Sequence, residues 1–212
     1  AEEMDRVLPA IAALRSRFEL PISVDTFRGR VVAEAFAAGA SVGNDISGFA
    51  DPTFLPACAL HGAAVVATHV RIGPRVPDPE PIYVDVVTDV RDFLVARVEM
   101  ARAAGIPDER IMVDAGLDLG KTPAMSASLL RRTDGLVSIG LPVFLSASNK
   151  GFLGDLTGAG IDERVESSWS AHALGIALGC RIIRAHDVLG GRRVADAMAA
   201  VLAAGSPASG TS

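Results

Sequence analysis

The sequence has few cysteines and no long apolar run. Its two cysteines, Cys58 and Cys180, are too few and too far apart for a disulfide framework or a zinc cluster, and we interpret both as buried residues in a reducing cytoplasm. No apolar run approaches the roughly 20 residues needed to span a bilayer, and the first residues lack the layout of a signal peptide. The residues therefore predict a cytoplasmic protein that does not enter a membrane.

An excess of positive charge is also absent, as are several common catalytic motifs. The net charge of −5 and the pI near 5.4 argue against nucleic acid or an anionic membrane as a partner. There is no His-Glu-x-x-His or Gly-x-Ser-x-Gly motif. The segment from Gly116 to Thr122 lacks phosphate-loop spacing, since the upstream glycine lies four, not five, residues before Gly120. Metallohydrolase, serine hydrolase and nucleoside triphosphate chemistry are all disfavoured.

What the chain does contain is a regular alternation of short apolar runs and amphipathic helical patterns. Its composition, 50% hydrophobic and 21% charged, is that of a globular protein with a large core. Nearly continuous apolar strands that alternate with helices are typical of a parallel sheet covered by helices. The predicted strands are 22–26, 41–46, 64–70, 110–114, 143–145 and 181–187.

About six βα units are too many for a small doubly wound domain and two short of the eight that close a barrel. We therefore expect an α/β fold of the TIM (β/α)8 barrel type, with the first two strands and their loops absent from these residues. Residues 1–204 would form a single domain, and 205–212 a disordered tail. Because six strands alone would leave open edges, we also expect a longer chain with a further N-terminal segment.

Polar residues lie at or just after the carboxyl end of each predicted strand, where the chemistry of an α/β barrel is found. Each has a simpler explanation, since an Asp after a strand is often a helix cap and a lone His is often a packed residue. Together, however, carboxylates and an amide could satisfy the N–H groups of a flat heterocycle, and the basic residues could hold a phosphate. These residues are Asp25, Asn44 with Asp45, His69 with Arg71, Asp114, Ser148 with Lys150, and Arg184 with His186.

One connection differs from the others in composition. The segment from Arg71 to Pro81 contains four prolines and a glycine. This composition excludes regular secondary structure and predicts a mobile or lid-like loop.

The strand ends carry an ordered series of motifs that covers nearly the whole chain. They are SVDTF (23–27), NDISG (44–48), THVR (68–71), VDAGLDLGKT (113–122), SASNKGFLG (146–154) and RAHDV (184–188). In this order they resemble the motifs of dihydropteroate synthase. The resemblance implies a TIM-barrel transferase of folate biosynthesis, which joins p-aminobenzoate to 6-hydroxymethyl-7,8-dihydropterin pyrophosphate and releases pyrophosphate. It also implies a homodimer formed through the helices of the later half of the barrel.

The resemblance assigns expected roles to individual residues. Asp114 would accept hydrogen bonds from the 2-amino and N3 groups of the pterin, and Lys150, the expected catalytic residue, would donate to the ring oxygen and N5 edge. The Asn that binds Mg²⁺ in the family would lie N-terminal to these residues, which themselves contain no expected metal ligand. The remaining roles are pterin binding by Asp25 and Asn44, pyrophosphate binding by Arg184 and His186, and the p-aminobenzoate side for Ser148 and Asn149.

Several motif positions depart from the family pattern. Asn149 replaces an arginine, so a fixed positive charge is lost on the p-aminobenzoate side. In the Asp-Pro-Gly-x-Gly-Phe-Gly-Lys motif, this chain has Ala115 for proline, Asp118 for the middle glycine and Leu119 for phenylalanine. We interpret the chain as a divergent second-copy paralogue that keeps the pterin-binding floor but has weak or no synthase activity.

Three alternatives remain open from the sequence. An active synthase would tolerate Asn149, and a non-catalytic binding or scaffold protein would keep only the barrel and its dimer surface. The pterin-binding module of corrinoid methyltransferases is a further possibility, although RAHDV and the Ser-x-Asn-Lys segment are closer to the synthase.

Overall fold

Six short runs of the chain form one parallel sheet in the computed structural model of the protein, which describes residues 2–204. Neighbours in the sheet are also neighbours in the chain, and all five pairings are parallel, as expected when every connection crosses over through a helix. The strands are Ser23–Asp25 (β1), Val42–Asp45 (β2), Ala64–Thr68 (β3), Ile111–Asp114 (β4), Val143–Leu145 (β5) and Ile182–Ile183 (β6).

Helices precede the first strand and follow every strand of the described chain. Local sequence sets their limits: Gly39, with φ of +111°, follows the end of α2, and the Thr122 hydroxyl accepts a hydrogen bond from Met125 N at 3.3 Å to cap α5. The helices are Glu2–Arg15 (α1), Gly29–Ala37 (α2), Phe54–Leu60 (α3), Val86–Ala103 (α4), Pro123–Arg131 (α5), Asp134–Val137 (α6), Gly151–Thr157 (α7), Val165–Ala177 (α8) and Val188–Ala204 (α9).

The sheet curls so that the carboxyl ends of its first and last strands approach each other. Arg184, which follows β6, donates to a carboxylate oxygen of Asp25 in β1 at 3.4 Å. Beside β1 lies a cavity of about 820 Å³, lined by Asp25 and by residues of α1 among others. The described residues thus form six βα units of an open α/β barrel.

The hydrophobic core lies between the sheet and its helices. Val65 and Ile111 point outward from adjacent strands and are fully buried, as are Phe54 of α3 and Leu94 of α4. Gly43 permits the close approach of α3, because a Cβ at this position would lie 3.0 Å from the Phe54 ring. Since side chains alternate along a strand, the intervening residues face the barrel interior and carry the polar groups of the site.

Five of the six strands are shorter than the sequence predicts, and β5 matches its predicted range. The strand predicted over 181–187 is confined to Ile182–Ile183, although Arg184 N still donates to Leu145 O at 2.9 Å. Polar residues beyond this point bond to neighbouring loops instead of continuing the ladder. The predicted disordered tail, 205–212, lies outside the described residues. Within the described part of the chain, no helix has both the length and the apolarity needed to cross a bilayer.

Candidate functional site

Three of the predicted site residues meet at the mouth of the barrel. Asp25 and Asn44 are register partners in β1 and β2, and Asn44 Nδ2 donates to Asp25 Oδ1 at 3.2 Å. Arg184 donates to the other carboxylate oxygen of Asp25 at 3.4 Å, and each side chain of this ion pair is 50% exposed. A row of a buried amide, a half-exposed carboxylate and a half-exposed guanidinium therefore links the first, second and last strands.

Two buried polar atoms at the ends of β2 and β3 bond to no described residue. Asn44 Oδ1 and Thr68 Oγ1 are both buried without a hydrogen-bond partner among residues 2–204. Leaving such a group unsatisfied costs about 1–3 kcal/mol. A ligand with N–H donors would recover that cost at Asn44. Sequence reasoning gave Thr68 no role, although its position at the end of β3 was a usable signal.

Asp114 is the most deeply buried carboxylate of the predicted pterin site. Asp114 is the last residue of β4 and is 5% exposed, and its Oδ1 accepts from Gly116 N at 2.7 Å. Burial raises the pKa of Asp114 to about 6, against the lowering effect of that hydrogen bond and of nearby cations, Lys150 first among them. At neutral pH the group is thus ionised, and its second oxygen makes no hydrogen bond to the described residues.

The turn after Asp114 depends on a glycine. Gly116 has φ of +63°, and a Cβ built there would lie 2.0 Å from His69 O, closer than any side chain permits. The turn therefore packs directly on the backbone at the end of β3, which fixes the direction of Asp114.

Lys121 holds the same turn from inside. Its ammonium group donates to Gly116 O and Leu119 O, each at 2.9 Å, and lies 2.8 Å from His69 Nδ1. Burial lowers the pKa of Lys121 to about 7 and, with the lysine charge, that of His69 to about 3. His69 is therefore neutral, and we assign its Nδ1 as the acceptor. Sequence reasoning missed this lysine, since 52 residues separate it from His69.

Lys150 lies at the start of α7 and reaches across to the same turn. Its ammonium group donates to Leu117 O at 3.1 Å, and its charge helps to keep the pKa of Asp114 from rising further. The predicted catalytic lysine is thus placed beside the predicted pterin carboxylate.

Ser148 and Asn149 are held by residues that follow them in the chain. Ser148 Oγ accepts from His186 N at 3.1 Å and lies 2.9 Å from His186 Nδ1. Asn149 adopts a left-handed conformation, with φ of +57°, and its backbone N donates to Ser168 Oγ at 3.0 Å. The same hydroxyl lies 3.4 Å from Asn149 Oδ1. The Asn149 side chain is therefore turned toward α8. The role of Ser168 was also missed.

Asp118 has a left-handed conformation as well, with φ of +67°. Its Oδ1 accepts from Phe152 N at 3.3 Å and from Ser126 Oγ at 3.4 Å. Its Oδ2 lies 3.4 Å from Phe152 N. The carboxylate thereby joins the turn after β4 to the beginning of α7.

Two of the predicted strand-end residues, Asp45 and Arg71, are not directed toward the other site residues. Asp45 turns toward the helices, where its carboxylate accepts from Ser47 N at 2.5 Å and Phe49 N at 3.0 Å. Arg71 forms a two-bond ion pair with Asp78 within the proline-rich loop 71–81, which contains no helix or strand. A cavity of about 280 Å³ separates that loop from residues 118–121.

An α/β barrel with carboxylates, an amide and cations at its strand ends is a site for a polar heterocycle that bears an anionic group. The sequence profile of the pterin-binding enzymes, described as "Pterin binding enzyme", matches residues 1–186. The chain therefore belongs to the pterin-binding enzyme family.

Within that family, the chain is similar to dihydropteroate synthases and to proteins described as inactive dihydropteroate synthases. A Mycobacterium leprae protein described as an inactive dihydropteroate synthase 2 is 40% identical over 94% of this chain and 70% of its own length. The structure of dihydropteroate synthase from Stenotrophomonas maltophilia superposes with a TM-score of 0.93 at 38% identity, covering 97% of this chain and 78% of that one. The Xanthomonas albilineans enzyme with bound 7,8-dihydropteroate gives a TM-score of 0.88 at 37% identity, over 97% and 75% of the two chains.

These similarities confirm the dihydropteroate synthase resemblance and the TIM-barrel fold class. The chain is a dihydropteroate synthase homologue, and its relatives include both synthases and proteins described as inactive. It spans 64% to 70% of the length of the curated relatives considered.

Proposed function

We propose that the complete protein binds a dihydropterin pyrophosphate at the strand ends but condenses it with p-aminobenzoate slowly or not at all. One contrast carries the proposal. Asn44 and Asp114 have oxygens that bond to no described residue, whereas Asn149 offers an uncharged amide in place of a guanidinium and its backbone N is bonded to Ser168 Oγ of α8. The pterin floor is therefore ready for a ligand, and the p-aminobenzoate side is not. The binding unit is a single domain over residues 1–204.

The pterin would be held by complementary hydrogen bonds. Asp25, Asn44 and ionised Asp114 accept from ring N–H groups, and Lys150 donates to the ring oxygen and N5 edge. Arg184 and His186 bind the pyrophosphate. For Arg184 this means exchanging its solvated contact with Asp25, which is worth little, for two phosphate oxygens.

The chemistry would be a dissociative displacement. The bond between the pterin methylene and the pyrophosphate oxygen breaks, and the electron pair leaves with pyrophosphate. The amine nitrogen then bonds to the methylene carbon and loses a proton. No covalent nucleophile is needed, because positioning and charge stabilisation by Lys150 and Arg184 assist departure of the anion.

The proposed cofactor, oligomeric state and cellular location rest on the resemblance to the family and not on the site residues described above. Residues 2–204 contain no group of three or more His, Cys, Asp or Glu side chains that could hold a metal ion. On the resemblance alone, Mg²⁺ would bind at an asparagine expected N-terminal to these residues, and no step above is derived through it. A homodimer in the cytoplasm is proposed on the same resemblance.

The test combines calorimetry with a condensation assay on the complete protein. We expect titration with oxidised 6-hydroxymethylpterin pyrophosphate to show binding. With the dihydro substrate, p-aminobenzoate and Mg²⁺, we expect turnover about 100-fold or more below that of a synthase with arginine at position 149. Comparable turnover would support the second candidate, an active synthase, which is favoured by the retained Asp25, Asn44, Asp114 and Lys150. Failure to bind the pterin would overturn both.

A further inference from the structure

Asp118 is fixed by both of its neighbouring elements. Its left-handed backbone is one that Asp and Asn tolerate better than most residues. Ser126 Oγ accepts from Asp118 N at 3.1 Å and lies 3.4 Å from Asp118 Oδ1, while Phe152 N lies within 3.4 Å of each carboxylate oxygen. The negative charge therefore has a defined position between α5 and α7.

That position adjoins the loop that carries Asn149 and Lys150. A Cβ on Gly151 would lie 3.4 Å from Asp118 Oδ2, so the carboxylate covers the residue that directly follows Lys150. Asp118 also lines the 280 Å³ cavity, together with Ile46, Val70 and Leu119. The carboxylate thus borders a cavity of mixed character, whose lining also includes the charged residues Arg75 and Lys121.

The nearby cations do not neutralise Asp118 by direct contact. No lysine or arginine of residues 2–204 forms an ion pair with it; Lys150 instead donates to Leu117 O at 3.1 Å. The guanidinium of Arg164 donates to the backbone oxygens of Ala159 and Asn149, each at 3.3 Å. The Arg164 guanidinium is thus taken up by backbone oxygens, and an anion that approached Gly151 at the start of α7 would meet the Asp118 carboxylate, which already accepts from Phe152 N at 3.3 Å.

We propose that Asp118 determines the specificity for the second substrate: it disfavours an amine bearing a carboxylate and favours an uncharged or cationic arylamine. This inference rests on the proposed function. The reaction is the one described above. The carbon–oxygen bond breaks and pyrophosphate takes the electron pair, and the arylamine nitrogen then bonds to the pterin methylene and releases a proton. Only the group para to the amine differs, because the negative charge of Asp118 repels a carboxylate at that position.

The test compares p-aminobenzoate with p-aminobenzamide, which has nearly the same shape and no charge. Each is titrated into the complete protein saturated with oxidised 6-hydroxymethylpterin pyrophosphate. We expect the amide to bind about tenfold or more tightly than the acid, with the ratio falling at high salt. In Asp118→Asn, which keeps a residue suited to the left-handed backbone, the ratio should fall to about threefold or less through tighter binding of the acid.

A matched control is Asp155→Asn. Asp155 is exposed on α7, the helix whose Phe152 N contacts Asp118. Its substitution removes one negative charge without changing the Asp118 contacts, so the ratio should stay as in the unmodified protein. Preference for p-aminobenzoate in the unmodified protein, an unchanged ratio in Asp118→Asn, or binding of neither amine overturns the inference. Since the pterin pyrophosphate is titrated first, failure of the proposed function is seen separately as absence of that first binding event.

Discussion

The two sides of the site differ in how their polar groups are satisfied. On the strand-end floor, Asn44 and Asp114 have oxygens left over after their protein contacts. On the opposite side, Ser148, Asn149 and Asp118 bond to His186, Ser168 and Phe152. Buried groups with spare capacity gain most from a ligand, whereas groups already bonded must first exchange a partner. One side of the candidate site therefore has hydrogen-bond acceptors available to a ligand, whereas the polar groups of the other side are bonded within the protein.

The largest expected effect comes from breaking the turn that orients Asp114. Gly116→Ala should reduce the free energy of unfolding by about 3 kcal/mol or more, because the new Cβ collides with His69 O in a conformation that alanine also disfavours. Urea denaturation of the complete protein measures this loss. Gly105→Ala is the control, since φ there is +89° but no atom lies within 4 Å, and about 1–2 kcal/mol is expected. Equal losses in the two variants would contradict the role given to the turn.

Removing the charge of Asp114 tests the prepared floor directly. Asp114→Asn should weaken binding of the pterin pyrophosphate about 100-fold, or ~3 kcal/mol, because a charge-assisted acceptor becomes a neutral amide with two N–H donors facing the ring. Calorimetry gives the affinity. Asp134→Asn, an exposed residue of α6, should leave it unchanged. An unchanged affinity in Asp114→Asn would show that this carboxylate does not bind the ligand.

The same carboxylate predicts a pH dependence. The pKa of Asp114 in the folded protein is about 6, so the group is ionised above that pH and progressively protonated below it. A ligand that needs the ionised form should lose affinity by about tenfold, or ~1.4 kcal/mol, for each pH unit below 6. Titrations between pH 7 and 4.5 measure the slope. In Asp114→Asn the slope should largely disappear, and a steep slope that persists would assign the effect to another group.

The smallest expected effect concerns the closed side. Ser168→Ala removes the hydroxyl that accepts from Asn149 N, and the resulting buried, unpaired N–H should reduce the free energy of unfolding by about 1–2 kcal/mol. Ser170→Ala on the same helix is the control, because its exposed hydroxyl bonds only to Glu166 O and about 0.5 kcal/mol or less is expected. Urea denaturation compares the two. Similar small losses would indicate that the loop is not held through Ser168.

The sequence predicted the parts of this comparison that depend on local patterns. Apolar runs followed by polar residues indicated the strands and their order, and parallel pairing then places Asp25 beside Asn44. The resemblance also named Asp118 and Asn149 as departures. These predictions needed only periodicity, strand ends and short motifs.

The contacts between different loops of the site could not be predicted in this way. Lys121 and His69 are 52 residues apart, Asp118 and Phe152 are 34 apart, and Asn149 and Ser168 are 19 apart. Which acceptor a side chain finds depends on how loops from different βα units pack, and residue type alone leaves several choices open. The predicted length of β6 was wrong for a similar reason, because Arg184 and His186 bond to residues of other βα units and do not continue the strand.

The contact between Asp25 and Arg184 joins residues that are 159 positions apart in the sequence. Because this contact joins the first strand to the last, the residues proposed to bind the pyrophosphate and the pterin are brought together only when the chain between them is folded. Ligand binding and completion of the fold are then one linked equilibrium, and a bound pterin pyrophosphate would stabilise the whole sheet by mass action. Partly folded chains would lack this protection, so the ligand acts as a selective stabiliser of finished molecules.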